Sequence, residues 1–166
     1  MILKINCDIG ESEEMASDGR QQKILRLIDL ANVCCGAHAG SVELTRLTML
    51  QAAEAGVRVG AHPGYPDFEH FGRRPLFGIE YDAQQVEALV ADQVAVALAA
   101  ALAAGLQLNH VKPHGALYNE AAINGEVAEA IARGVRRVVR DVFLIGLANS
   151  TMVGVFKRQG FVVMRE

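Results

Sequence analysis

The chain reads as an α/β protein built on a parallel sheet, and three observations predict it. Short apolar runs of strand length alternate with longer segments that carry helix caps, in a repeated β-α order. Glycines such as Gly56 and Gly105 close the helical segments. Ionisable residues collect where the apolar runs stop: Asp8 and Glu11 after the first, His38 after the second, His62 after the third, Lys112 and His114 at the fourth. Open α/β sheets and barrels gather their ligand groups at the carboxyl ends of strands. The same pattern therefore predicts an enzyme.

Taken in order, Ile2 to Cys7 is the first strand, with Lys4, Asn6 and Asp8 on one face by the period of two. Gly10 to Gly19 is a loop. Asp18 and Gln21 have capping-box spacing, which predicts a helix over 19–30 with an apolar face of Leu27, Ile28 and Leu30. Ala31 to Cys35 is the second strand, and Gly36 to Gly40 a turn around His38. Ser41 caps a helix that ends at Ala55 before Gly56, with Leu44, Leu47, Thr48 and Leu50 as its buried stripe. Val57 to Ala61 is the third strand. A long polar and aromatic loop follows, holding His62, Asp67, His70, Arg73 and Arg74. Asp82 and Gln85 cap an Ala-rich helix running to Ala104. Leu106 to Pro113 is the fourth strand, Asn124 caps a helix to about Arg140, and Val142 to Leu147 is the fifth strand. Asn149 or Ser150 starts the last helix, and Phe161 to Met164 is the sixth strand. Six strands in an open arrangement leave an edge, and the expectation is self-association or partner binding along it.

Composition narrows the class. The 166 residues suffice for one domain with a real core, and 51% apolar content at a net charge of -3 excludes a disordered chain. No basic block points to nucleic acid. The longest apolar stretch, Val94 to Leu106, is too short to cross a bilayer. The opening MILKINCDIGES has acidic residues where a signal peptide would be apolar, so a cytoplasmic protein is expected. Cys7, Cys34 and Cys35 show no C-x-x-C spacing and read as buried thiols in a reducing compartment.

The candidate residues suggest acid, base or metal-ligand chemistry. Asp8 and Glu11 form an acid/base or metal-binding pair. His38 and His62 sit in turns with little local packing to explain them. Lys112 lies on the inward face of a strand and requires a carboxylate, a phosphate or a substrate beside it, with His114 next on that face. Arg73 and Arg74 have the chemistry to clamp a carboxylate or phosphate. His70 reads as surface and His110 as a packing residue. Neither a phosphate-binding G-x-x-x-x-G-K-[ST] loop nor a G-x-S-x-G elbow is present.

Four stretches, KINCDIGES, ANVCCGAHAG, VGAHPGYPDFEHFGRR and HVKPHGALYN, closely resemble the LamB/YcsF family, the A subunits of bacterial 5-oxoprolinase. The resemblance implies a seven-stranded (β/α) barrel of the glycoside hydrolase/deacetylase type. It implies ATP-dependent hydrolysis of 5-oxo-L-proline (pyroglutamate) to L-glutamate, with Mg2+ accompanying the ATP, together with B and C subunits. It places the family's polar strand-end residues at Asp8, Glu11, His38, His62, Lys112 and His114. Ala37 and Ser41 depart from the Phe and the acidic residue usual around the His38 turn. A barrel of this type takes about 250 residues, so the expectation is a single barrel-like domain of six βα units, truncated at its C-terminus.

On this reading Asp8 or His114 activates water, and Lys112 with an arginine offsets developing negative charge. Glu11, His38, His62, Arg73 and Arg74 bind substrate. Two alternatives stand beside it. One is a metal-dependent amide hydrolase or deacetylase with Asp8, His38 and His62 as ligands to a divalent ion. The other is a non-catalytic, truncated subunit that only binds partners.

Overall fold

The structure is a computed structural model and describes residues 4–166; Ile2 and Leu3 of the expected first strand lie outside it. Six strands form one all-parallel sheet in sequential order: β1 (Asn6–Ile9), β2 (Leu30–Cys34), β3 (Arg58–His62), β4 (Leu108–Val111), β5 (Phe143–Gly146) and β6 (Val162–Arg165). Each connection carries helix, as parallel neighbours require. In a flat sheet five inter-strand steps would hold β1 and β6 about 24 Å apart. Here Asn6 Nδ2 lies 2.9 Å from Glu166 Oε2, just past β6. The sheet is therefore curled into a half-barrel, with helices outside and a polar concave face inside.

Among the described residues, seven helices connect the strands. Two of them, α1 (Glu13–Ser17) and α2 (Arg20–Leu25), replace the single helix expected over 19–30. Ser12, not Asp18, supplies the first cap, accepting from Met15 N. Gln21 is not a capping partner: it is buried and donates to Thr48 Oγ1 and Gln51 Oε1 while accepting from Gly10 N. The capping spacing is thus mimicked by a residue that ties the Gly10–Ser12 turn to the next helix. Leu27 is exposed and Leu30 belongs to β2, so neither forms the predicted helix face.

Helix α3 (Val42–Ala55) has the predicted Ser41 cap and a left-handed Gly56 at its end. Its buried face is Leu44, Thr45, Thr48, Met49 and Ala52, whereas Leu47 and Leu50 are exposed. Thr45 explains the rotation, because its hydroxyl donates to Cys34 O and draws that face onto β2. Helix α4 (Ala83–Ala103) has the full Asp82–Gln85 capping box. It is long and apolar enough by composition alone to cross a membrane. In this fold its Val86, Val90, Val94, Ala97 and Ala101 are core residues. It packs on α6 (Gly125–Val138), where a Cβ on Gly134 would meet Glu87 O at 2.5 Å. Only glycine permits that approach. Two further helices are α5 (Gly115–Ile123), which the sequence pattern does not announce, and α7 (Thr151–Arg158).

Candidate active site

The carboxyl ends of β1 to β4 deliver their side chains to one place. His62 ends β3, His114 caps α5 directly after β4, and His38 comes from the turn after β2. All three are buried. His38 and His114 stack in parallel with centroids 3.8 Å apart, and His62 meets both edge-on at 5.6 and 4.9 Å. Asp8 Oδ2 lies 3.3 Å from His62 Nε2, and Glu11 Oε1 lies 3.6 Å from His38 Nε2. Glu11, His38, His62 and His114 each offer one ligand atom, all within 4.8 Å of one another, a grouping compatible with a divalent metal. Asp8, expected among the ligands, is not in that group but beside it.

Hydrogen bonds to backbone carbonyls fix two of the rings. His62 Nδ1 is 2.7 Å from Lys112 O, and His114 Nε2 is 2.8 Å from Phe71 O. A carbonyl only accepts, so those nitrogens carry the protons. In the neutral rings, His62 Nε2 and His114 Nδ1 keep their lone pairs, and these two atoms face each other at 3.0 Å. His38 Nδ1 and Glu11 Oε1 are buried with no hydrogen-bond partner among the described residues.

Tight backbone geometry lets the rings approach. A Cβ on Gly64, in the turn after His62, would lie 2.9 Å from His38 Nδ1; one on Gly72 would lie 2.8 Å from His38 Cβ. Gln93 of α4 holds Gly64 by both its N–H and its carbonyl, at 3.0 and 2.8 Å. Phe71 has a left-handed φ of 55°, unusual for a bulky residue, and its carbonyl is the one that accepts the hydrogen bond from His114 Nε2. Tyr65 and Phe77 N anchor the rest of this loop on Glu120 of α5.

Beneath the histidines runs a polar network on the concave face. Lys112 Nζ lies 3.1 Å from Asn6 Oδ1, 3.4 Å from Asp8 Oδ1 and 3.2 Å from Glu166 Oε1. Asn32, fully buried in β2, donates to both Asn6 Oδ1 and Asp8 Oδ1 at 2.7 Å and accepts from His110 Nε2 at 2.8 Å. The His110 ring fills the space over Gly60, where any Cβ would collide with it.

Electrostatics follow from this packing. Burial would raise the Asp8 carboxyl, but His62 whenever its ring is protonated, the Lys112 charge and the hydrogen bond from Asn32 outweigh it and hold Asp8 well below the usual range. Burial, with His38 and His62 nearby, lowers His114 to about 4. Burial lowers His38 as well, against the opposing pull of Glu11. His110 falls to about 3, again chiefly through burial. Burial pushes Cys34 up to about 11 and its Sγ donates to Ala39 O, so it is a packed thiol rather than a nucleophile.

Of the sequence candidates, Asp8, Glu11, His38, His62, Lys112 and His114 converge. The two arginines diverge. Arg74 is engaged by Asp67 and Glu80 at 3.5 and 3.2 Å. Arg73 lies over the Phe71 ring, 5.2 Å from its centroid, and Phe71 in turn meets His38 and His114 edge-on. His70 is a half-exposed partner of Asp67. Sequence reasoning misses Asn32, Phe71, Gln93 and Glu166. An Asn inside the otherwise apolar run Leu30–Cys34 is the signal for the first; the others act through contacts distant in the chain.

The LamB/YcsF family model matches residues 3–166. The chain is 42% identical over its whole length to the 5-oxoprolinase A subunit of Chloroflexus aggregans, and spans 65% of that protein. It is 41% identical over 99% of its length to the 5-oxoprolinase A subunit of Bacillus subtilis strain 168, spanning 63%. Among solved structures, the lactam utilization protein of Thermus thermophilus superposes with a TM-score of 0.91 at 36% identity, covering 99% of this chain and 66% of that one. A second solved structure, of a protein from Enterococcus faecalis V583, has a TM-score of 0.61 at 12% identity and bears on the fold alone.

Proposed function

Since the chain belongs to the LamB/YcsF family, we propose that it supplies the hydrolytic site of an ATP-dependent 5-oxoprolinase, opening 5-oxo-L-proline to L-glutamate with B and C subunits. The observation that carries this reading is the convergence of Asp8, Glu11, His38, His62, Lys112 and His114 at one end of the sheet. Relatives named as the A subunit of 5-oxoprolinase and as a lactam utilization protein supply the substrate class.

The chemistry suits these groups. A lactam carbonyl is a poor electrophile, and ATP with Mg2+, when bound, would supply its activation by transferring a phosphoryl group to the carbonyl oxygen with release of ADP. Asp8 or His114 would take the proton of the water that adds at the carbonyl carbon; the C–N bond breaks as the ring nitrogen takes a proton, and the phosphoryl group leaves as inorganic phosphate. Lys112, already among oxygen ligands, offsets negative charge that develops on the carbonyl oxygen. On this reading Arg73, which lies over the Phe71 ring, meets the substrate carboxylate; Arg74, tied to Asp67 and Glu80, braces the loop.

The test is reconstitution with the partner subunits and measurement of glutamate formed from 5-oxoproline. ATP-dependent turnover that is lost when this chain is omitted supports the reading. No turnover in the complete complex sinks it. A second reading, a metal-dependent amide hydrolase that needs no ATP, is favoured by the histidine-carboxylate cluster; turnover of amides by the chain alone, without ATP, would select it.

A further inference from the structure

Two imidazoles with their outer nitrogens committed to the carbonyls of Lys112 and Phe71 turn bare lone pairs on each other, His62 Nε2 to His114 Nδ1, at 3.0 Å. Two acceptors at that distance repel unless a cation lies between them. A proton is one solution, but a proton serves two acceptors. Here His62 Nε2 also faces Asp8 Oδ2 at 3.3 Å, and Glu11 and His38 bring further donors into a group whose atoms lie within 4.8 Å of one another. Glu11 Oε1 and His38 Nδ1 are buried without hydrogen-bond partners among the described residues. Such a surplus of acceptors fits a metal ion better than a proton. The spacing fits as well: nitrogens each about 2.1 Å from one ion, at angles between a right angle and the tetrahedral value, lie about 3.0–3.4 Å apart.

We propose that this cluster is a seat for one divalent transition-metal ion, held by His62 through Nε2, His114 through Nδ1, Glu11 and His38. Imidazole-rich sets of this kind suit zinc, iron, nickel and copper rather than magnesium or calcium. The carbonyls of Lys112 and Phe71 serve as the outer partners that metal-bound histidines require. Asp8 stands beside the seat, not in it, anchored by Asn32 and Lys112. With His114 ligating the ion, Asp8 becomes the group that takes the proton from the attacking water. This seat stands on the donor geometry alone, whether or not the substrate is a lactam.

The test is direct metal binding by the chelator-treated chain, titrated separately with Zn2+ and Co2+. The expected result is one equivalent bound, with a visible ligand-field band for cobalt. His62→Gln and His114→Gln each weaken binding by about 100-fold or more, while His70→Ala, on the exposed loop, binds as wild type. Should the Gln variants fail to fold, X-ray absorption of the zinc-loaded wild type decides. It is expected to show imidazole and oxygen ligands at about 2.0–2.2 Å and no sulfur at about 2.3 Å. No saturable binding, sulfur ligation through Cys34, or affinity unchanged in both variants overturns the seat. None of these readouts involves 5-oxoproline, so the seat and the lactam reading fail separately.

Discussion

The two ends of the curled sheet differ in what they enclose. At the amino ends of β3, β4 and β5 lies an open cleft of about 460 Å³, lined by Gly56, Arg58, Gln107, Asn109, Asp141 and Phe143 among others. At the carboxyl ends three buried histidines, two carboxylates and Lys112 lie within a few ångströms. The amino-end cleft has one Arg and one Asp and no histidine. Convergence of donors on buried elements marks a site, and volume does not. The reason is topological: β-to-α junctions all open at one end, so each can deliver a side chain to a shared centre. The α-to-β turns at the other end only reverse the chain, as Gly56 and Gly105 do with left-handed φ.

The contrast predicts large effects at one end and small ones at the other. The largest belongs to Lys112→Met, which keeps the stem and removes the charge. In the reconstituted complex, 5-oxoproline hydrolysis is expected to fall by about 100-fold or more, the scale of losing one charge-stabilising donor. Its partners Asp8 and Glu166 retain some solvent exposure, so the thermal midpoint should stay close to wild type. A protein that unfolds instead would make Lys112 a structural ion-pair partner, and unchanged turnover would remove it from the chemistry.

Next comes Asn32→Leu. The change takes one donor from Asp8 and one from Asn6, which keep Lys112, and leaves His110 Nε2 without its acceptor. A buried donor left unpaired costs about 1–3 kcal/mol and each lost hydrogen bond about 0.5–1.5 kcal/mol, so urea unfolding should register a loss of about 2–4 kcal/mol. Turnover should drop as well, because Asp8 loses the anchor that aims it at His62. A variant as stable as wild type would show that the concave network is solvated rather than structural.

A further effect is graded by pH. His110 is buried over Gly60, with the charges at His62, Arg58 and Lys112 also opposing its protonation, and its folded-state value is about 3 against 6.5. Between those values the unfolded chain holds a proton there that the folded chain lacks. Stability therefore rises with pH across this window and falls on acidification from about 6.5 toward about 3, by about 1.4 kcal/mol per pH unit for one proton. His110→Gln keeps a donor for Asn32 and removes the titration, so its stability should vary less steeply over the same range. Parallel slopes for the two proteins would show that His110 is protonated in the fold.

Much of this was legible in the chain because local chemistry decided it. Ser41, Asp82 and Asn124 cap their helices, since their oxygens reach the first free N–H groups within a few residues. Asp8, His38, His62 and His114 were visible because each follows an apolar run. The failures share a cause. Gln21 looked like a cap and is a long-range linker, and Leu47 looked buried but lost its place to Thr45, whose hydroxyl found Cys34 O. The divergence of Arg73 from Arg74, and the bond from His114 to Phe71 O, depend on how a loop folds back on α5. No local pattern encodes that.

The smallest predicted effect tests the empty end of the comparison. Arg58 opens β3 at the amino face, is exposed, and makes no ion pair among the described residues. Arg58→Ala should change stability by about 0.5 kcal/mol or less, as for surface positions without a special contact. Turnover in the complex should stay within about twofold, because no group of the histidine cluster touches it. Arg58 reaches the site only through its field, which helps to keep His110 neutral. Removing it lets the His110 value rise, so the loss of stability in acid should be spread over a slightly narrower pH span. That shift would be visible in urea midpoints at a series of pH values and absent in the His110→Gln background. A loss of turnover approaching that of Lys112→Met would mean that the amino-end cleft takes part in the reaction, and the distinction between the two ends would fall.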